Sequence, residues 1–195
     1  LRFAALHAAC EAIVSRMYVP PFDLPTDEIR RELDRLRGPL RIAIQRSKNP
    51  FNVGAIIRVA HSFLVREIVL IGEEPYYERA SMGMEKYENI TKLPDEEAFL
   101  DYVRREQLRL VAVEKDHPHV QGLWSYAFPE HQPMLVFGSE NEGVSPEILA
   151  VAEAVVAIPM FGINHSYPVS VAAGIVMAEW ARRYWGGNRL ITAPR

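Results

Sequence analysis

Five short runs of branched and apolar residues, LRIAIQ at 40–45, EIVLIG at 67–72, LRLVAV at 108–113, MLVFG at 134–138 and AVVAI at 154–158, set the terms for any fold of this chain. LRIAIQ alternates and reads as a strand, and the other four, short, branched and apolar, suit strands covered on both faces. Between them lie helical patterns at 52–64, near 95–106, in a short piece after Ser145-Pro146, and in a long stretch from Val169. Strand and helix in alternation predict an α/β domain with a mainly parallel sheet flanked by helices. A length of 195 residues, 49% apolar and 24% charged, is enough for one such domain with a buried core.

Ahead of the first run, Phe3, Leu6, Ile13, Val14 and Met17 predict a helix over 3–17, and VPPFDLP is a proline-set connector. TDEIRRELDRLR then reads as a helix with acids in its first turn and arginines in its last, ended by Gly38-Pro39. This segment through Lys48 mixes Arg30, Arg31, Arg35, Arg37, Arg41, Arg46 and Lys48 with Asp27, Glu28, Glu32 and Asp34, which reads as a solvated helix face in preference to a surface that meets phosphates.

The net charge of −3 gives no global footprint of a nucleic-acid binder, although local patches can serve. A single cysteine, Cys10, excludes an internal disulfide and a cysteine-based zinc site, and the six histidines show no ligand spacing, so no metal is expected. No apolar run has the length of a membrane span, and LRFAALHAAC continues into EAIVSRMY without a cleavage pattern. The expectation is a soluble, cytoplasmic protein. Leu1 in place of Met suggests a trimmed start.

In doubly wound sheets, ligands collect at loops after the carboxyl ends of strands. Three such loops here are polar and turn-forming. In SKNPFNVGAIIRVAHSF, Asn52 is the expected N-cap, with Val53, Ile56, Ile57, Ala60, Phe63 and Leu64 as the buried stripe. Gly54 and Arg58, four apart, share another face, where Gly54 leaves Arg58 accessible to a phosphate or, on the plainer reading, to an acid partner. In GSENEGVSPEIL, Gly138 permits close backbone approach, Gly143 a positive-φ turn, and Ser145-Pro146 a helix start. It carries no GK[ST], and Glu140 and Glu142 argue against a triphosphate. The third loop, IPMFGINHSYP from Ile158, breaks at Pro159 and leads into a helix with Val169, Ala172, Ala173, Val176, Met177, Trp180 and Tyr184 on one face. Ala172, Ala173 and Gly174 there call for a large or close packing partner. Alone, this segment equally fits a connection that merely packs well.

Taken in order, N-x-x-N-x-G-x-x-x-R, F-G-S-E-x-x-G and I-P-M…S-x-x-V-S-V-A-A-G resemble the three signature motifs of the SpoU/TrmH-type RNA 2′-O-methyltransferases of the SPOUT superfamily, over about residues 40–185. SMGMEKY at 81–87 is similar to that family's small-residue segment after the second strand. The resemblance implies a SPOUT-like methyltransferase domain at 39–195 with a C-terminal trefoil knot, preceded by a helical N-terminal extension at 1–38. It also implies S-adenosylmethionine bound largely by backbone groups, transfer of its methyl to a ribose 2′-hydroxyl of tRNA or rRNA, and a homodimer. Carried over by position, Arg58, Asn52, Glu140 and Ser166 are the catalytic set. Val113, Glu114, Gly138, Ile158, Met160, Ser166, Tyr167 and Ala172 would lie along the cofactor.

The third motif of the family usually reads S-L-N-V-S, whereas this chain has Ser166-Tyr167-Pro168-Val169-Ser170. Pro168 removes a side-chain amide and a backbone N–H, and Tyr167 adds bulk and a hydroxyl. That departure motivates an alternative, a knotted RNA-binding protein that has lost catalysis. An unrelated nucleotide-binding α/β module is the third reading, and it requires the three motifs to be coincidence.

Overall fold

The computed structural model describes residues 24–46 and 49–184. The expected helix at 3–17, most of the proline connector, and Lys48 lie outside the described residues. Helix α1 (Thr26–Leu36) precedes strand β1 (Arg41–Gln45), helix α2 (Pro50–Ser62) and strand β2 (Glu67–Ile71). Two 3₁₀ turns, Glu78–Ser81 and Met84–Tyr87, lead to β3 (Ile90–Leu93), α3 (Glu96–Glu106), β4 (Arg109–Val113) and β5 (Val120–Gly122). The chain closes with β6 (Pro133–Phe137), α4 (Pro146–Val151), β7 (Ala154–Ala157) and α5 (Val169–Tyr184).

The strands form one sheet in the order β3-β2-β1-β6-β4-β7-β5, every neighbouring pair parallel. The five apolar runs are its five inner strands. Their interior residues, such as Ile42, Ile68, Val111, Leu135 and Val156, are fully or almost fully buried, because helices cover both faces. The two edge strands escaped the sequence reading: ITKL of β3 is half-buried to exposed and VQG of β5 wholly exposed, so neither carries a buried apolar run.

β7 lies between β4 and β5 although it follows both in the chain, so the chain leaves Ala157 between two strands joined by the connection 114–119. The Glu114 N–H donates to the Val156 carbonyl at 3.1 Å and the Leu123 N–H to the Ala157 carbonyl at 2.9 Å, clamping that exit from both sides.

One core layer sets α2 and α5 against the sheet, with Val53, Ile56, Ile57, Ala60, Ala173, Val176, Met177 and Trp180 buried. The other holds Phe99 and Val103 of α3 and Ile148 of α4. The small residues of α5 have their packing partner within the chain: a Cβ on Gly174 would lie 3.7 Å from Val59 Cγ1 of α2. Arg183 fastens the far end of α5 by donating to the carbonyls of Leu123, Trp124 and Tyr126.

On α1 the Arg31–Asp27 and Arg35–Glu32 pairs are exposed, as a solvated face requires. Arg37 does not belong to that face. Its side chain is 2% exposed and its guanidinium binds the fully buried Glu88 at 2.8 Å, Asp34 at 2.8 Å and the Val65 carbonyl at 2.8 Å. With Ile29 and Leu33, it seats α1 on the domain. Burial works against the charge on Asp34, but its hydrogen bonds to Arg37 and Asn89 hold its pKa below the ordinary value.

Candidate functional site: three loops at the carboxyl edge of the sheet

The loop after β1 turns into α2 three positions earlier than the sequence suggested. Asn49, not Asn52, is the N-cap: its side-chain oxygen accepts the Phe51 N–H at 3.2 Å, and Pro50 occupies the first turn. Asn52 is thereby left inside the first turn with its amide free of capping. That amide donates to Glu140 Oε1 of the second loop, and its oxygen accepts from Ser170 Oγ of α5 at 3.1 Å. One side chain therefore joins all three loops. Ser170 was part of the motif but had no role assigned to it, since its partner is 118 residues away in the chain.

Gly54 does not open a path to Arg58. It is buried, and a Cβ there would lie 2.7 Å from both Ala80 Cβ and the Tyr77 carbonyl oxygen, so its role is to let the turn at 78–81 press against α2. Arg58 is exposed one turn further on and has no carboxylate partner among the described residues.

After β6, residues 139–143 form a tight turn in which Ser139 and Gly143 exchange N–H···O=C bonds of 3.1 and 3.0 Å. Gly143 has φ +69°, as the sequence suggested. A Cβ on Gly138 would fall 2.0 Å from the Gly143 carbonyl carbon. The close approach that Gly138 permits is thus that of its own loop's returning strand. Glu114 latches the same turn: one carboxylate oxygen accepts the Val144 N–H at 3.2 Å, and the other those of Lys115 at 2.7 Å and Asp116 at 3.3 Å. Ser145 starts α4 without a side-chain cap bond, and its N–H donates to Gln45 at 2.9 Å.

The third loop is folded on itself. The Tyr167 hydroxyl donates to the Pro159 carbonyl at 3.4 Å and the Asn164 amide to the Ser166 carbonyl at 3.3 Å. The Pro168 carbonyl accepts the N–H groups of Val171 and Ala172 at 2.9 and 3.0 Å, so the proline stands immediately before the first turn of α5.

Between the second and third loops lies a cleft of about 810 Å³. Val113, Glu114 and Gly138 line it from the sheet side, and Ile158, Met160, Ser166, Tyr167 and Ala172 from the other. All eight residues singled out for a cofactor thus face one space. Glu140 also lines it, whereas Asn52 and Arg58 stand outside it. Val169 of α5, which the third motif contains without a role assigned to it, and Leu149 of α4, which no motif contains, complete the apolar wall.

Its size and make-up fit a nucleoside-sized ligand: apolar walls, glycine-bearing turns that offer backbone groups, and few fixed side-chain donors. The rim has Glu114, Asp116, Glu140 and Glu142, while Lys115 is paired to Asp116 at 2.6 Å. Such a rim repels a triphosphate and tolerates a sulfonium cation. S-adenosylmethionine fits these residues.

A parallel α/β sheet with a ligand cleft at its carboxyl edge defines a small-molecule-binding domain of the doubly wound class. The chain belongs to the SpoU rRNA Methylase family, whose model matches residues 39–178. A tRNA (guanosine(18)-2'-O)-methyltransferase of Aquifex aeolicus (strain VF5) is 28% identical over 163 residues, covering 80% of this chain and 74% of its own. Among solved structures, the A. aeolicus TrmH/SpoU tRNA modifying enzyme is similar with a TM-score of 0.70 and 28% identity, over 82% of this chain and 81% of that one. An AdoMet-bound rRNA methyltransferase from Sinorhizobium meliloti gives 0.69 and 26%, over 77% of this chain and 60% of that one, so this chain spans about three fifths of that relative.

Proposed function

We propose that this protein transfers the methyl group of S-adenosylmethionine to a ribose 2′-hydroxyl of tRNA or rRNA. The observation that carries the reading is the joining of Asn52, Glu140 and Ser170, one from each motif, beside a single nucleoside-sized cleft. The names of the relatives in A. aeolicus and S. meliloti support it.

In this reading Gly138, Ile158, Met160, Ser166, Tyr167 and Ala172 hold the cofactor, with Val113 and the Glu114 latch fixing the turn beside it. The bound cofactor supplies a sulfonium methyl already activated for attack. What remains for the protein is positioning. Arg58, exposed and unpaired with any acid among the described residues, binds the phosphate beside the reacting ribose and orients its 2′-oxygen. A guanidinium stays protonated, so it serves as a clamp in preference to a base. Asn52 and Glu140 fix the loop that carries this geometry, and Ser166 lies exposed at the mouth of the cleft.

The proposal includes a division at residue 39, supported by the start of the family match, with 1–38 as an extension seated through α1. It includes the family's C-terminal knot, supported by the late insertion of β7 between β4 and β5. It includes a homodimer, supported by Phe161 and Ile163, 93% and 99% exposed beside the cleft. Among the described residues no helix is long and apolar enough to cross a membrane, and the proposed site of action is the cytoplasm.

Calorimetry with S-adenosylmethionine and transfer of labelled methyl to bulk tRNA and rRNA test the reading. Arg58→Ala is expected to lower turnover by roughly 100-fold, the scale of a lost positioned group, with cofactor affinity little changed. Arg58→Lys rescues poorly, because an ammonium lacks the planar fork. Saturable cofactor binding without methyl transfer to any RNA would instead favour the binding-protein alternative that Pro168 motivates. Light scattering near twice 22.2 kDa is expected for the dimer.

A further inference from the structure

Phe51 and Tyr77 form an exposed aromatic pair that none of the roles above uses. Phe51 is 58% and Tyr77 40% exposed, with ring centroids 4.7 Å apart and planes tilted by 46°. Both are held on rigid backbone. The Phe51 N–H is bonded to the cap Asn49, the Tyr77 N–H donates to the Pro50 carbonyl at 3.0 Å, and Gly54 lets the 78–81 turn lock onto α2.

Their placement is specific. Phe51 adjoins Asn52, and Phe51, Ala55, Arg58 and Ser62 follow one another at i, i+4, i+7 and i+11 along α2. At 1.5 Å per residue, Phe51 stands about 10 Å along the helix from Arg58, within reach of a nucleotide neighbouring the one that Arg58 holds. Arg79, two residues from Tyr77, is exposed and joins no ion pair among the described residues. Exposed rings flanked by unpaired arginines match single-stranded RNA, which offers a flat base and a phosphate together. A second copy of the chain fits less well, because a two-fold contact at this patch would bring Arg58 and Arg79 towards their own counterparts.

We propose that Phe51 and Tyr77 form a stacking site for a nucleobase of the RNA substrate, next to the nucleotide whose phosphate Arg58 clamps. The proposal rests on the RNA-methyltransferase reading of the site. Binding of labelled bulk tRNA and rRNA to the full chain tests it apart from catalysis. Phe51→Leu keeps the apolar volume and removes the ring; Tyr77→Ala removes its neighbour. Each is expected to weaken RNA binding about tenfold, within the range of one lost base stack. Phe51→Trp is expected to restore it, while S-adenosylmethionine affinity and light-scattering mass stay unchanged. Unaltered RNA affinity in both variants overturns the proposal, and so does a fall in mass, which would make the pair a contact between copies. RNA binding that depends on the pair in a chain without methyl transfer sustains the stacking site and sinks the enzyme reading. A wild-type chain that binds neither RNA overturns both.

Discussion

Ser170 Oγ donates to Asn52 Oδ1 at 3.1 Å and so completes the hydrogen bonding of the side chain that joins the three loops. Glu140 is a carboxylate that can only accept, so it fixes the Asn52 nitrogen towards itself and leaves the oxygen for the Ser170 hydroxyl. Ser170→Ala removes one neutral hydrogen bond, about 0.5–1.5 kcal/mol, and leaves Asn52 held to the second loop but not to α5. The expected result is a fall in turnover of about tenfold, with a small change in the urea midpoint. Asn52→Asp should be worse at neutral pH, because it sets a second carboxylate against Glu140. Turnover of Ser170→Ala equal to wild type would remove this bond from the function.

Gly138→Ala places a Cβ where the Gly143 carbonyl already lies, 2.0 Å away, so the 139–143 turn must move. Overpacking of this kind costs about 1–3 kcal/mol. The displaced turn forms one wall of the cleft, and calorimetry should show S-adenosylmethionine affinity lowered by at least about tenfold. Undiminished affinity would put the cofactor somewhere else.

Pro168 can be tested by restoring the family residue. The Tyr167 hydroxyl and the Asn164 amide are both turned to the loop's own carbonyls, while Ser166 lines the cleft beside the missing asparagine. Pro168→Asn is expected to leave cofactor affinity nearly unchanged and to raise turnover by up to about tenfold, the worth of one hydrogen bond. A fall in turnover would instead make the proline part of a working variant of the site.

Glu179 gives α5 a signature in acid. Hydrogen bonds from Arg182 and Arg183 outweigh its burial and pull its pKa from 4.5 to about 2. The depressed folded-state value contributes stability that is present above about pH 4.5 and is lost as pH falls towards 2. Urea midpoints measured down this range should drop more steeply for wild type than for Glu179→Gln. Parallel slopes would show that the pair contributes nothing to folding.

The five inner strands and the apolar stripe of α5 were legible in the sequence because burial on two faces leaves a short apolar run and burial along one helical face a local periodicity. So were the loop motifs, whose glycines, prolines and polar residues are set by turns of a few residues. β3 and β5 were not, since an edge strand of three or four residues exposes too much of itself to leave an apolar run. The cap of α2 was misplaced by three residues because Asn49 and Asn52 are equally good caps by type, and only the backbone at Pro50 decides between them. Tertiary structure alone decided the rest. Gly54 is a contact with a turn more than twenty residues on, Arg37 a buried partner of Glu88 and not a surface charge, and Asn52 the meeting point of Glu140 and Ser170. Each of these depends on a partner distant in the chain, and the order of residues along one strand or helix carries no record of which distant group the fold will bring to it.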